Sequence, residues 1–416
     1  MKYVIYDIET TLTCFLVVLY DVDSGKKVCY KISKHKNDRL SLIKHLNSLI
    51  KRDYYFVGFN NLSFDAQVIH KILTNELTNY TDIYNESQKL INLDDDTKYR
   101  YLIPEWKLNT KNIDLYKVYH FDNKNKRTSL KWCEFSMRSQ SIEEMPFDHS
   151  IEYDLNQELL LEEYCNWDIQ ETLRLFKHSL DFIDLRFQIK KDSKINCINY
   201  NNGKIGMELL LSKYCSKTGL SKEDVKHLEK EVSYQIPLKN LIFPYIHFKS
   251  KAFQSVLKKF ESIVWTPKDD DDETKKEKGL FTLSYKQSVN HDKKKNYGYI
   301  YGYGGLHQCI KPGVYEDDED HIIIDADVAS LYPSIPISYY SWLLDKPIKY
   351  QNEQLKQVDS PVIYPPQLGI EVLQVYKEEI VDIRLAEKEK PKDQQNKTII
   401  SGYKEAANIP YGGFNN

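Results

Sequence analysis

A chain of 416 residues exceeds what one hydrophobic core usually supports, so two or three domains are expected. Its 41% apolar and 29% charged residues are the balance of a globular protein in water and exclude collagen-like or disordered chains. With 58 Lys and Arg against 61 Asp and Glu, the net charge of −3 argues against simple coating of a nucleic-acid backbone. It leaves room for an enzyme that gathers carboxylates around metals and cations along a groove.

Seven cysteines, at 14, 29, 133, 165, 197, 215 and 309, never fall in a Cys-x-x-Cys spacing. They read as free thiols of a reducing compartment, with no disulfide frame or zinc site. The N-terminus has no signal-peptide anatomy, and the apolar run Phe15 to Tyr20 is far shorter than the roughly 20 residues a membrane helix needs. A cytoplasmic protein without membrane contact is expected.

In chain order, Tyr3 to Tyr6 reads as a strand ending in Asp7-Ile8-Glu9-Thr10-Thr11. Strand side chains alternate faces, so Asp7 and Glu9 point the same way and repel unless a cation lies between them. A hairpin follows, Cys14 to Tyr20 and Val28 to Ile32 joined by the turn Asp21 to Gly25. Leu40 to Ile50 has a helical apolar period. Tyr54 to Gly58 is a further strand running into the polar turn Asn60-Asn61, after which Ala66 to Leu73 reads as helix and Asp65 stands just past a strand end.

Asp114, in Asn112-Ile-Asp-Leu, suits a cap or turn. Leu159 to Phe176 has a helical apolar period, and within it Tyr164 and Asp168, four apart, share one face. Phe182 to Ile189 and Met207 to Cys215 read as helices, whereas Lys268 to Gly279 is a charge block that suits a solvated loop, and Asn290 to Asn296 adds a lysine cluster. The triplet Ile322-Ile323-Ile324 reads as a buried strand delivering Asp327 to its end, and Pro333 stops regular pairing. Ile370 to Lys390 and Thr398 to Asn408 read as two helices broken at Pro391.

Asp7-x-Glu9, Asn61-x-x-Phe64-Asp65 and Tyr164-x-x-x-Asp168, in this order, resemble the three exonuclease motifs of the proofreading domain of family B DNA polymerases. The resemblance implies a ribonuclease-H-like fold in which Asp7, Glu9, Asp65 and Asp168 hold Mg²⁺ or Mn²⁺ and Tyr164 orients the attacking water. The chemistry suits such residues: two divalent ions about 3.5–4 Å apart activate the water, neutralise the phosphoryl oxygens and assist the leaving 3′ oxygen. Oxygen ligands suit these ions. By the same resemblance Thr10, Asn61 and Phe64 contact the frayed single strand, as do Ser129 and Leu130 of Thr128-Ser-Leu-Lys131; ordinary packing or capping is the alternative for each, and for Ser129 and Leu130 the two readings weigh about the same. The family's lysine near this site is matched to no residue here.

Asp327-x-x-Ser330-Leu331-Tyr332-Pro333-Ser334 resembles the first palm motif of the same family. It implies that Asp327 and the Val328 carbonyl bind metal, that Ser330 and Leu331 line the nucleotide site, and that Tyr332 stacks beneath the incoming sugar. Gly304 and Gly305 resemble a template-strand element. Arg384-x-x-x-Lys388 and Lys404-x-x-x-Asn408 resemble fingers residues that grip a triphosphate, with Tyr411 and Gly412 completing the string on the DNA side, although Ile409 and Pro410 depart from the usual pattern. No Asp-Thr-Asp string, which supplies the second palm carboxylate, follows.

The expectation is an α/β multidomain chain: a ribonuclease-H-like 3′-to-5′ exonuclease over 1–180, a helical linker with a charged insertion over 181–290, a partial palm over 291–368 and fingers over 369–416. It implies a DNA-directed DNA polymerase with proofreading, acting on a primer-template, a single-stranded 3′ end and dNTPs; either a second polypeptide carries the rest of the palm and the thumb or the sequence is a truncated product. The residue usage suits a phage or plasmid source. Two narrower readings stand beside it, a stand-alone 3′-to-5′ DNA exonuclease and a DNA-binding subunit of a partner polymerase.

Overall fold

Hydrophobic alternation in the first strand organises the architecture of the computed structural model. In β1 (Lys2–Thr10), Val4, Tyr6 and Ile8 point to one face and Ile5 to the other, and all four are buried. A strand apolar on both faces belongs inside a sheet. β1 pairs antiparallel with β2 (Cys14–Asp21), which pairs antiparallel with β3 (Lys27–Ser33). The β2–β3 turn is held by Asp21, whose Oδ1 accepts the N–H groups of Asp23 and Ser24 at 3.0 Å, while Gly25 takes the positive φ of 68°.

Helix α1 (Arg39–Lys51) then crosses the sheet and buries Leu42, Leu46 and Leu49. It returns the chain to β4 (Tyr54–Gly58), parallel to β1, and β5 (Lys111–Asp114) is parallel to β4. The five strands lie in the order β3-β2-β1-β4-β5, three antiparallel and then two parallel additions.

Two cores result. On the Val4–Tyr6–Ile8 face, α1, α2 (Asp65–Leu73) and α3 (Tyr80–Asn92) contribute Leu42, Ile69 and Ile83 among others. After α4 (Leu130–Ser136), the 24-residue α5 (Leu155–His178) covers the Ile5 face with Leu161, Cys165, Ile169, Leu173 and Phe176. A capping box starts α5: Asp154 accepts the Gln157 N–H at 2.8 Å and Gln157 Oε1 accepts the Asp154 N–H at 2.9 Å. Lys31 on β3 is buried, donates to the Glu158 carbonyl at 3.2 Å and pairs with Glu162 at 2.9 Å, tying α5 to the sheet.

Helices α6 (Leu180–Ser193) and α7 (Asn202–Thr218) follow. Arg186 of α6 is fully buried, and its guanidinium donates to the carbonyls of Phe182, Val118 and Tyr200 and to Asn202 Oδ1 at 2.8–3.2 Å. Burial pulls its pKa down to about 10. Helices α8 (Asp382–Lys388) and α9 (Tyr403–Gly413) join this part of the molecule, because Thr398 Oγ1 donates to Asp192 at 2.9 Å and Gly206 of α7 meets the backbone of Glu405.

By packing, Met1–Ser212 with Asp382–Asn416 forms one unit and Lys213–Val381 a second. The second contains helix Lys251–Ser262 and an antiparallel meander of β6 (Gly279–Val289), β7 (Lys293–Gly302) and β8 (Gly305–Cys309). The structure describes residues 1–123, 126–226, 236–240, 242, 245–265, 279–289, 293–302, 305–309, 313–320, 322–326, 328, 331, 333–335, 337 and 374–413, with backbone alone from 279 to 309 and beyond 408. Among the described residues no helix is long and apolar enough to cross a membrane, and six cysteines are free thiols.

Candidate active site

Asp7 and Glu9 share the Ile5 face of β1, the face that α5 covers, so the alternation that buries Ile5 also aims both carboxylates at this helix. On α5, Tyr164 and Asp168 stand one turn apart beside Cys165, which faces β1. The Cys165 thiol lies 3.7 Å from both the backbone carbonyl and Oδ2 of Asp7. One donor atom each from Asp7, Glu9 and Cys165 lies within 4.8 Å of the others.

Asp65 arrives from the opposite direction. β4 ends at Gly58, where an added Cβ would stand 2.9 Å from that of Asn61, so only glycine lets the chain fold back this tightly. Asn60 takes the left-handed φ of 59°, and Asp65 then opens α2 with its Oδ1 accepting the Ile8 N–H at 3.2 Å. Ile8 lies between Asp7 and Glu9, so this bond locks the third carboxylate to the strand carrying the first two.

The electrostatics follow from crowding. Burial, and then repulsion by Asp65, Glu9 and Asp168, pushes the Asp7 carboxyl well above the usual carboxylate range. Glu9 is raised by burial and by Asp168 and Asp65, with Lys131 opposing. Asp65 and Asp168 both move to about 7, chiefly through burial. The Tyr164 phenol is held protonated by burial and by the neighbouring carboxylates, its hydroxyl hydrogen-bonding to Asp168.

Three side chains that the sequence reading did not assign complete the surroundings. Lys131 places its ammonium 5.5 Å from the Tyr164 ring centroid, where it lowers the pKa of Glu9 and Asp168, and it also donates to Glu144 Oε2 at 2.8 Å and to the Glu143 carbonyl at 2.6 Å. Buried Glu134 accepts from Trp167 Nε1 at 3.2 Å beside Asp168. Cys165 is the third. The signal for Lys131 was its place directly after Ser129-Leu130; Glu134 and Cys165 are singled out only by the packing of α4 and α5.

Of the expected strand-contacting residues, Ser129 is the N-cap of α4 and accepts the Trp132 N–H at 3.3 Å. Leu130 is half-buried, and Trp132 and Phe135 beyond it are exposed in an edge-to-face pair 5.7 Å apart. Asn61 is fully buried and donates to the carbonyls of Phe56 and Ile113 at 3.5 and 3.4 Å, serving the backbone. Phe64 packs, half-buried, against the α1–α3 core, and Thr10 is buried at the end of β1. Asp114 serves as a brace, accepting the N–H groups of Asn60, Leu62 and Tyr116 at 2.9–3.2 Å.

The second group of expected residues is only partly within the described structure. Asp327, Ser330, Tyr332 and Gly304 lie outside the described residues. The expectation of a buried strand over Ile322–Ile324 is corrected: residues 322–326 adopt no regular structure, and the three isoleucines are 77%, 60% and 73% exposed. A β-branched run becomes a strand only when a neighbour satisfies its ladder, and no described residue pairs with this one. Val328 and Leu331 are exposed, and Gly305 opens β8 opposite Gly302. Arg384 is half-buried and its Nε donates to the Ile400 carbonyl at 3.1 Å, whereas Lys388, Lys404 and Asn408 are exposed. The backbone at Tyr411 and Gly412 continues α9 straight through Ile409 and Pro410.

No family model and no curated protein matches the chain. Among solved structures it is similar to the family B DNA polymerase from the hyperthermophilic archaeon Pyrobaculum calidifontis, with a TM-score of 0.44 and 14% identity over 99% of this chain and 46% of that one. The chain therefore spans about half the length of that polymerase.

Proposed function

We propose that this chain carries the 3′-to-5′ exonuclease of a family B DNA polymerase, in a ribonuclease-H-like domain, together with part of the polymerase unit. The observation that carries the exonuclease is the pairing of Asp7 and Glu9 on one strand face, with Asp65 bonded to the Ile8 N–H between them and Asp168, hydrogen-bonded by Tyr164, acting on both from α5. The polymerase part rests on the order and wording of the motifs from Asp327 to Gly412.

The donor set fits hard divalent ions. Burial and mutual repulsion raise these carboxyls despite Lys131, and a bound cation would offset that penalty. Asp7, Glu9, Asp65 and Asp168 would hold Mg²⁺ or Mn²⁺, which when bound supplies an acidified water and charge neutralisation on the phosphoryl oxygens. Tyr164 remains a hydrogen-bond donor at any physiological pH and orients the attacking water against Asp168. As the water oxygen bonds to phosphorus and the bond to the 3′ oxygen breaks, Lys131 faces the negative charge that develops. The Ile8–Asp65 hydrogen bond keeps the carboxylate spacing fixed, so little reorganisation accompanies the reaction.

The test is degradation of a 5′-labelled single-stranded oligonucleotide in Mg²⁺, run beside dNTP-dependent extension of a primed template. Shortening from the 3′ end is expected, lost in Asp7→Ala/Glu9→Ala and reduced by roughly 10²-fold in Lys131→Ala. Shortening that survives the double substitution, or that proceeds in EDTA, would sink the assignment. Sustained extension by the chain alone would show that it needs no second polypeptide.

A further inference from the structure

We infer that Cys165 turns the carboxylate site into a mixed oxygen and sulfur site that captures a thiophilic divalent cation, Zn²⁺ or Cd²⁺, in place of the oxygen-preferring ions. The inference rests on the reading of Asp7 and Glu9 as metal ligands and extends it to a ligand that reading does not contain.

Cys165 is packed like a core residue, but its sulfur is not aimed at apolar atoms alone. Both of its polar contacts, at 3.7 Å, are to Asp7, one to the carbonyl oxygen and one to Oδ2. Around a tetrahedral zinc ion with bonds of about 2.3 Å to sulfur and about 2.0 Å to oxygen, adjacent sulfur and oxygen ligands stand roughly 3.5 Å apart. The observed separation is thus close to one edge of that tetrahedron. The Glu9 donor, within 4.8 Å of both, offers a third corner after a small side-chain rotation. Asp168 acts electrostatically on both Asp7 and Glu9 but stands outside this group of three, which leaves the fourth corner to solvent.

Softness decides the outcome. A thiolate adds little for Mg²⁺, which demands oxygen ligands in octahedral array, but binds Zn²⁺ and Cd²⁺ strongly. On capture the thiol gives its proton to water as the sulfur–metal bond forms, and no oxidation or reduction is involved. An ion drawn toward the floor of the site by Cys165 occupies Asp7 and Glu9 in tetrahedral geometry. It therefore acts as an inhibitor of the Mg²⁺-dependent reaction.

Cobalt provides a readout independent of activity, since Co²⁺ occupies zinc-type sites and absorbs in the near ultraviolet when a thiolate is bound. Titration of the 416-residue chain with Co²⁺ should raise this band. Zn²⁺ should abolish it, and both Cys165→Ser and Cys165→Ala should lack it. In parallel, the Zn²⁺ concentration that halves each protein's own Mg²⁺-dependent nuclease rate should rise at least tenfold in Cys165→Ser. No band in the unsubstituted chain, or a band that persists in both variants, overturns the sulfur ligand. Nuclease activity without a band sinks this inference alone, and a Cys165-dependent band without nuclease activity sinks the exonuclease reading alone.

Discussion

Asp114 shows how far one residue can be read without its neighbours. Its position suited a cap, and it does cap the short helix Leu115–Val118 by accepting the Tyr116 N–H, but its larger task is to hold the β4–α2 turn by accepting the N–H groups of Asn60 and Leu62. Burial pushes its carboxyl up to about 6, with Lys117 and those N–H donors opposing. Asp114→Ala strands the amides of Asn60, Leu62 and Tyr116 and should destabilise the first unit by about 2–4 kcal/mol in denaturant melts. Because the same turn sets Asn61 and Asp65, nuclease activity should fall further than stability accounts for under native conditions. An Ala variant as stable as the parent would show that the turn is held by something else. That Asp7 and Glu9 share a strand face and Tyr164 and Asp168 a helix face was legible from periods of 2 and of 4. The neighbourhood of Cys165, Lys131 and Glu134 was not, since it depends on which helix packs over which strand.

The elements themselves were readable where the apolar pattern was strong. The β1–β2–β3 hairpins, α1 and α5 follow it within a few residues. One reading failed and one stretch was silent: Ile322–Ile324 has strand propensity without a described partner, and β6 and β7 form a long hairpin where the sequence pattern assigned no element, while the charge block 268–278 lies outside the described residues. Local propensity cannot report a distant partner. The same holds for the α7–α9 crossing: a Cβ at Gly206 would lie 2.5 Å from the Glu405 carbonyl carbon, and one at Gly402 would press on Ile189 and Leu209. These glycines bring segments nearly 200 positions apart into contact. Gly206→Val should therefore detach residues 382–413 from the first unit. Limited proteolysis should cut between 382 and 413 in the variant while the parent resists, and equal resistance would mean that the crossing tolerates a side chain.

At the scale of the whole molecule the carboxylate site couples stability to pH and, on the proposed metal-binding reading, to divalent ions. Asp65 and Asp168 titrate near 7 in the folded chain, against about 4 when unfolded, and Asp7 and Glu9 are raised in the same direction. Between these values the folded state binds more protons than the unfolded one, so this contribution is full below about pH 4 and is lost as pH rises through 7. In EDTA the melting temperature should therefore fall from pH 6 to pH 8. A divalent ion competes with those protons and binds best once they have left, so the rise in melting temperature produced by Mg²⁺ or Mn²⁺ should be small at pH 6 and larger at pH 8. Asp7→Asn/Asp168→Asn, which removes two of the four charges, should flatten both trends. Calorimetric melts of the two proteins at each pH, with EDTA or with metal, read the coupling directly. A metal-induced shift that is equal at both pH values, or that persists in the variant, would place the ion somewhere other than among these four carboxylates.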